Sequence, residues 1–314
     1  MDYSHILLSQ NFRLRTPALV AVVQNACFKV LMRKTGVVFT GESRIGKTSC
    51  CEALVDEIPR RFSNVYVFMV PATNVDTNNQ SYSSIVHQML DLEGIAPGSR
   101  RTFIQRQSML IERLLSRAAD ANAQQIVLLI DELQRLSVGD FNQLADIYNR
   151  LRSSKVILTV ISFAMPSIKG KIAQFLRNED RHIIGRFLSD IRPMYGVATS
   201  KQLADILTLY DESHAWSGLE ISLTNDILPK AYSGGFRISS LSEQIWIELS
   251  RVATGKYVNN LPMEHVTQTI SYVFLILAQE DRVDLSVPHD LIVEAIHESN
   301  FRDFCRSTGF TAYD

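Results

Sequence analysis

The chain has almost no net charge: 32 Lys and Arg against 33 Asp and Glu leave −1 over 314 residues. A globally basic surface, the footprint of a protein that coats nucleic acid, is therefore excluded. Any such binding has to come from a local patch. Cysteine is scarce. Cys27, Cys50, Cys51 and Cys305 show neither metal-ligand spacing nor a disulfide framework, so they read as small buried apolar thiols in a reducing compartment. No apolar run is long enough to cross a bilayer; the most apolar, ISYVFLILA (270–278), reads as a core helix. The first residues, MDYSHILLSQNFRLR, lack the basic start and apolar stretch of a secretory leader. Internal repeats and low-complexity tracts are also missing. These absences predict a soluble, cytoplasmic protein without a membrane partner.

What is present is an alternation. Short, continuously apolar runs occur at 36–40 (GVVFT), 64–70 (NVYVFMV), 125–130 (QIVLLI) and 155–161 (KVILTVI). Unbroken apolarity marks strands buried on both faces of a parallel sheet. A helix at 16–34 precedes them, and helical segments at 47–59, 81–93, 102–121 and 139–152 separate or follow them, which predicts an α/β domain. After about residue 196 the strand-like runs stop. Segments 199–212, 222–232, 236–253, 263–278 and 288–299 read as helices punctuated by Gly234-Gly235, Gly255, Pro262 and Pro288. The expected division is an α/β core over 1–196 and a smaller all-helical part over 197–314.

The first strand runs into GESRIGKT, which fits G-x-x-x-x-G-K-[ST] from Gly41 to Thr48. A strand before it and a helix after it give that pattern its meaning. Glycines let backbone N–H groups curl around an anion at a helix N-terminus. The cradle comprises Gly41, Glu42, Ser43, Arg44, Ile45, Gly46, Lys47, Thr48 and Ser49. Lys47 is placed to reach the β- and γ-phosphates of ATP, and the Thr48 hydroxyl to ligand Mg²⁺. The third strand ends in Asp131-Glu132. Asp131 is suited to hold the Mg²⁺ and Glu132 to polarise an attacking water, which favours hydrolysis over phosphoryl transfer to a small molecule.

Other polar residues are candidates for completing the site. Ser162, closing the fourth strand, is read either as a γ-phosphate sensor or as a simple strand-end hydroxyl. Within RNEDRHIIGRFLSDIRP (177–193), Arg186 is the first candidate and Arg181 the second for an arginine reaching a neighbouring subunit's site; the other reading pairs such arginines with Glu179, Asp180 and Asp190. In SGGFRISS, Arg237 follows a glycine break that allows close backbone approach. Thr73 and Asn74, in PATNVDTNNQS, are candidates for contacting Glu132.

Taken together these residues resemble the AAA+ ATPases. GESRIGKT looks like the Walker A loop, IVLLIDE like Walker B, Ser162 occupies the sensor-1 place, Arg186 an arginine-finger-like context, and Gly234-x-x-Arg237 matches sensor 2. The order holds over roughly 16–255. Within that superfamily FTGESRIGKT and LLIDELQRL are similar to the TniB/TnsC group of bacterial transposition regulators, although SFAMPSIKG departs from the glycine and Thr-Pro expected after the sensor strand. The resemblance implies a P-loop AAA+ sheet flanked by helices, then a helical lid and C-terminal helices. It also implies ATP and Mg²⁺ as cofactors and a homo-oligomeric ring or filament on double-stranded DNA. Transposase subunits and a TniQ-type adaptor, as in CRISPR-associated transposons, would be its partners. A helicase loader or initiator-like ATPase, and a signalling NTPase switch without DNA, are the alternatives.

For DNA, segment 99–117 (SRRTFIQRQSMLIERLLSR) offers Arg100 and Arg101, with Arg106, Arg113 and Arg117 on one helical stripe. This is either a phosphate-contacting surface or a solvated helix face. The terminal segment NFRDFCRSTGFTAYD (300–314) shows no helical period and reads as a partner-docking tail or a poorly ordered end.

Overall fold

The computed structural model describes residues 5, 7, 13–73, 84–95, 101–212 and 221–309. In chain order the elements begin with α1 (Pro17–Leu31), β1 (Gly36–Thr40), α2 (Lys47–Arg61), β2 (Val65–Pro71), α3 (Ile85–Leu92), α4 (Phe103–Asp120) and β3 (Gln125–Asp131). They continue with α5 (Val138–Ser153), β4 (Ile157–Ala164), α6 (Ile168–Arg177), the short α7 (Arg181–Ile183), a π-helical turn (Ile184–Leu188) and β5 (Ile191–Pro193). The five strands form one parallel sheet in the order β2-β3-β4-β1-β5.

The sheet's interior explains its sequence. All seven residues of β3 are buried, because it lies between β2 and β4 with helices on both faces. Ile126, Leu128 and Ile130 share one core with Leu110 of α4 and Phe141 of α5, while the intervening side chains point to the other face. Beside them α2 crosses β2, β3 and β4. The fifth strand is invisible to periodicity: it has three residues, ends in proline, and sits at the sheet edge, where a missing N–H costs no ladder bond. It is fastened by Val38 N–H donating to Asp190 O at 2.8 Å and by an ion pair between Lys29 and Asp190.

The remaining elements are helical: α8 (Ser200–Asp211), α9 (Leu223–Ile227), α10 (Pro229–Ser233), α11 (Ser242–Val252), α12 (Met263–Leu277), α13 (His289–Glu298) and α14 (Phe301–Thr308). Their buried side chains, among them Leu207, Tyr210, Ile245, Phe274 and Ile292, make a second core. The single helix expected over 222–232 is two, since Pro229 starts a new one. A correction concerns the end of the chain. Residues 301–308 are a helix whose Phe301 and Cys305 are fully buried, so they anchor this core; 310–314 lie outside the described residues.

By contacts the chain divides into two units. One contains residues 21–42 and 47–194, that is, the sheet and its helices. The other contains residues from Tyr195 onward together with those before Ala21 and Ser43–Gly46. All four cysteines are buried free thiols. No helix among the described residues is long and apolar enough to cross a membrane.

Candidate functional site

The loop after β1 is held in shape by its own backbone. Gly41 N–H donates to Ala164 O at 3.0 Å, tying the loop's first residue to the end of β4. Arg44 (φ 64°) and Gly46 (φ 99°) are left-handed; successive reversals of this kind turn amides inward to make an anion-binding nest. A Cβ at Gly46 would meet nothing within 4 Å, so glycine is required there by its dihedral and not by space. Arg44 itself ion-pairs with Glu264 and stacks on Phe304 at 4.9 Å.

Lys47 opens α2. It is almost fully buried, and its Nζ donates to Gly41 O (3.0 Å) and Glu42 O (2.6 Å) and touches Met165 Sδ at 3.4 Å. Burial pulls its ammonium below the usual lysine range, against the opposing pull of Glu132, Asp131 and Glu42. Among the described residues its hydrogen-bond partners are two carbonyls and a thioether, weak compensation for a buried cation.

Thr48 Oγ1 donates to Asp131 Oδ2 at 2.7 Å, joining the start of α2 to the end of β3. Asp131 is also buried, and burial raises its pKa although the Thr48 hydroxyl and the Glu132 N–H stabilise the carboxylate. A hydroxyl and a carboxylate are hard oxygen donors of the kind Mg²⁺ takes. Among the described residues no three metal-ligating side chains gather. With one hydroxyl and one carboxylate, the pair can supply two of the oxygens that such a cation takes. Ser49 follows on the same helix turn.

Glu132 is left-handed (φ 59°, ψ 42°). A non-glycine residue in this region carries strain that surrounding contacts must hold. Here Gln134 Nε2 donates to Glu132 Oε2 at 2.7 Å, and Arg135 Nε lies 3.4 Å from the same oxygen. Thr73 N–H instead donates to Gln88 Oε1 at 3.1 Å, and Asn74 lies outside the described residues.

Ser162 lies inside β4, which runs two residues further than the sequence predicts. It pairs with Ile130 on one side and Val38 on the other. Paired residues share a sheet face, so Ser162 sides with Ile130, while Asp131 sits on the opposite alternation.

Arg186 belongs to the π-helical turn, with its guanidinium 5.3 Å from the Tyr148 ring. Its backbone lies against the start of β1: a Cβ on Gly36 would sit 2.7 Å from Arg186 O. The loop leaves the other end of that strand, about 13 Å away at ~3.3 Å per residue. Arg181 is exposed at the start of α7. Arg237, in the helical unit, stacks on Tyr232 at 3.5 Å and donates to Tyr232 O and Phe236 O. The preceding Gly234 packs so closely that a Cβ would lie 2.0 Å from Val283 O.

On the α4 stripe of arginines, Arg113 and Arg117 are partly exposed, their side chains 34% and 41% accessible. Arg106 is buried. Arg113 Nε and Arg117 Nε both donate to Glu93 Oε2, at 2.8 and 2.9 Å, and Glu93's side chain is only 2% exposed. Tyr66 Oη donates to its other oxygen at 2.8 Å. Arg101 contacts Met109 Sδ, and Arg100 lies outside the described residues.

With this geometry in view, residues 31–172 match a family model described as AAA domain. The Aeropyrum pernix ORC2 protein, solved as ADPNP–ADP complexes, is similar at a TM-score of 0.59 and 14% identity, over 94% of this chain and 71% of that one. This is the AAA+ P-loop fold. Cdc6p from Pyrobaculum aerophilum matches at 0.56 and 13%, over 90% of this chain and 68% of that one. No curated protein matches the chain by sequence. The matched residues span β1, the loop, Asp131-Glu132 and β4, the segments that assemble the site above. Sequence reasoning passed over Gln134, Met165 and Glu93. Gln134 stood in plain view inside LLIDELQRL, whereas Glu93 offered no local signal.

Proposed function

We propose that the chain is an ATP-hydrolysing AAA+ switch whose nucleotide state controls a homo-oligomer on duplex DNA, acting as a transposition regulator between a target-selecting complex and a transposase. One observation carries the ATPase part: Thr48 and Asp131 meet at 2.7 Å beside the buried Lys47, with Glu132 in a held left-handed turn next to them. Lys47 would neutralise the β- and γ-phosphates. Thr48 and Asp131 would hold Mg²⁺, which when bound polarises the γ-phosphoryl oxygens. Glu132 would orient and deprotonate the attacking water. Arg186, set at the far end of β1 from its own loop, suits a role in a neighbour's site. The helical part after residue 196 would serve as lid, with Arg237 as its nucleotide-facing candidate.

The transposition part rests on the TniB/TnsC-like phrases FTGESRIGKT and LLIDELQRL. Duplex binding rests on that resemblance as well, since Arg106, Arg113 and Arg117 have structural surroundings. A helicase loader or initiator-like ATPase is the second reading, because ORC2 and Cdc6p share the fold.

The test combines hydrolysis and electron microscopy with duplex DNA under ATP and under ADP. Lys47→Ala should lower ATP affinity about a hundredfold, ~2.8 kcal/mol. Glu132→Gln should bind ATP normally, lose about a hundredfold or more in kcat, and accumulate DNA-bound oligomers. Normal hydrolysis by Glu132→Gln would refute the assignment. Absence of oligomers on DNA under every nucleotide would refute the assembly.

A further inference from the structure

Glu132 leaves β3 in a left-handed conformation, and the next three residues form a single tight turn, Leu133–Arg135. Leu133 and Leu136 are buried on either side of this turn and fix it to the core. Between them Gln134 is half-buried and makes two hydrogen bonds in opposite directions. Its Oε1 accepts from Met165 N–H at 2.9 Å, and its Nε2 donates to Glu132 Oε2 at 2.7 Å.

The two bonds are linked by the chemistry of an amide. Met165 presents a backbone N–H, which only donates, so the oxygen of Gln134 must face it. The NH₂ is then directed at Glu132 and cannot exchange places with the oxygen. Both described contacts to the Glu132 carboxylate fall on Oε2, from Gln134 and from Arg135. Oε1 takes part in neither. Among the described residues Oε1 makes no hydrogen bond or ion pair, so one oxygen is anchored and the other is not.

The other end of the bridge is equally specific. Met165 follows directly on β4, and its Sδ lies 3.4 Å from Lys47 Nζ. Glu132, Gln134, Met165 and Lys47 thus form one line of contacts from the carboxylate after β3 to the lysine of the loop. The methionine stands where SFAMPSIKG departs from the expected glycine and Thr-Pro.

We propose that Gln134 is the positioning residue for Glu132, holding Oε2 so that Oε1 meets the attacking water. It acts through Glu132 and touches no substrate. The inference rests on the reading of Glu132 as general base given above.

The test measures kcat, KM and the affinity for a fluorescent ATP analogue in the full chain. The variants are Gln134→Ala, Gln134→Glu, Glu132→Gln and Glu132→Gln/Gln134→Ala. Gln134→Ala should lower kcat about tenfold, the scale of a misoriented catalytic group, with analogue affinity within about twofold of the wild type. In the Glu132→Gln background the same change should add nothing, because residues that act as one unit are not additive. Gln134→Glu keeps an acceptor for Met165 N–H, withdraws the donor and sets a like charge against Glu132, so it should lose at least as much turnover. A kcat for Gln134→Glu or Gln134→Ala within twofold of the wild type would overturn the proposal. So would a parallel loss of nucleotide affinity, or a further loss in the double variant, since either marks a general structural role. If Glu132→Gln alone keeps wild-type turnover, the base assignment falls first, and the separate arm shows it.

Discussion

Replacing Glu93 by glutamine tests why the α4 arginines sit where they do. The wild-type carboxylate, 2% exposed, accepts from Tyr66 Oη, Arg113 Nε and Arg117 Nε. Burial alone would raise its pKa, but the bonds from Tyr66, Arg117 and Arg113 hold it below the ordinary carboxylate range. Glutamine keeps the volume and removes the charge; with its oxygen toward Arg113 and Arg117 its NH₂ faces Tyr66 Oη, which must turn from donor to acceptor. A buried charged hydrogen bond is worth about 1.5–3 kcal/mol net. Arg113 is one-third exposed and Arg117 more so, and water recovers most of what Arg117 loses; we assign its pairing nothing. The expected loss is then about 2 kcal/mol, or roughly 4–8 °C in Tm for a domain of this size. The sign with pH follows from linkage. A carboxylate depressed in the folded state stabilises above its unfolded pKa, and that stability is lost as pH falls through the folded value. The difference between wild type and Glu93→Gln should therefore be full at pH 7 and shrink on acidification below about pH 4. Differential scanning calorimetry across pH checks both points. A Tm change under 1 °C at pH 7, or a difference that grows in acid, would refute the reasoning. The same contacts show that reversing Arg113 and Arg117 to glutamate damages the fold before it says anything about DNA.

The other predictions concern the site. Asp131→Asn should weaken the Mg²⁺ dependence of hydrolysis and raise the metal concentration for half-maximal rate at least about tenfold, since one of the two proposed protein ligands loses its charge; a metal titration of the ATPase rate reads this directly, and an unchanged midpoint would remove Asp131 from the metal. Lys47→Ala and Arg186→Ala chains should each be inactive alone, yet mixed equally they should regain about a quarter of wild-type turnover. That fraction is the share of randomly formed head-to-tail interfaces in which an intact site faces an intact arginine. A mixture no more active than its parts would end the trans assignment for Arg186 and leave Arg181 to be tried.

Much of the fold was legible because its signals are local. GVVFT and QIVLLI are continuously apolar for the same reason they are buried on both faces, and the strand–loop–helix order around Gly41–Thr48 needs only neighbouring residues. The short edge strand Ile191–Pro193 left no such trace, because pairing with Val38–Thr40 gives it its strand character and its own composition does not. Helix α14 was misread for a related reason. Within the helix itself only Phe301 and Cys305 are buried, too few for a visible period, and the core they enter is built by residues over 40 positions earlier, such as Ile245 and Leu249.

The site divides the same way, and the division has a physical meaning. The meeting of Thr48 and Asp131 beside Lys47 was readable because a G-x-x-x-x-G-K-[ST] loop before a helix and a carboxylate at a strand end are both local patterns. The helical wheel gave the angular positions of Arg106, Arg113 and Arg117 but not what stands opposite them. Glu93 lies 20 residues before Arg113, on a different helix boundary, and only packing brings it there. Gln134 is the intermediate case: its position two residues after Glu132 was visible, but its contact depends on Met165 N–H, supplied 31 residues later by the residue that follows β4. A residue type can announce the ligand it serves. The orientation of the Gln134 amide beside Glu132 is fixed by a backbone donor beyond the end of β4, and no single stretch of sequence contains it.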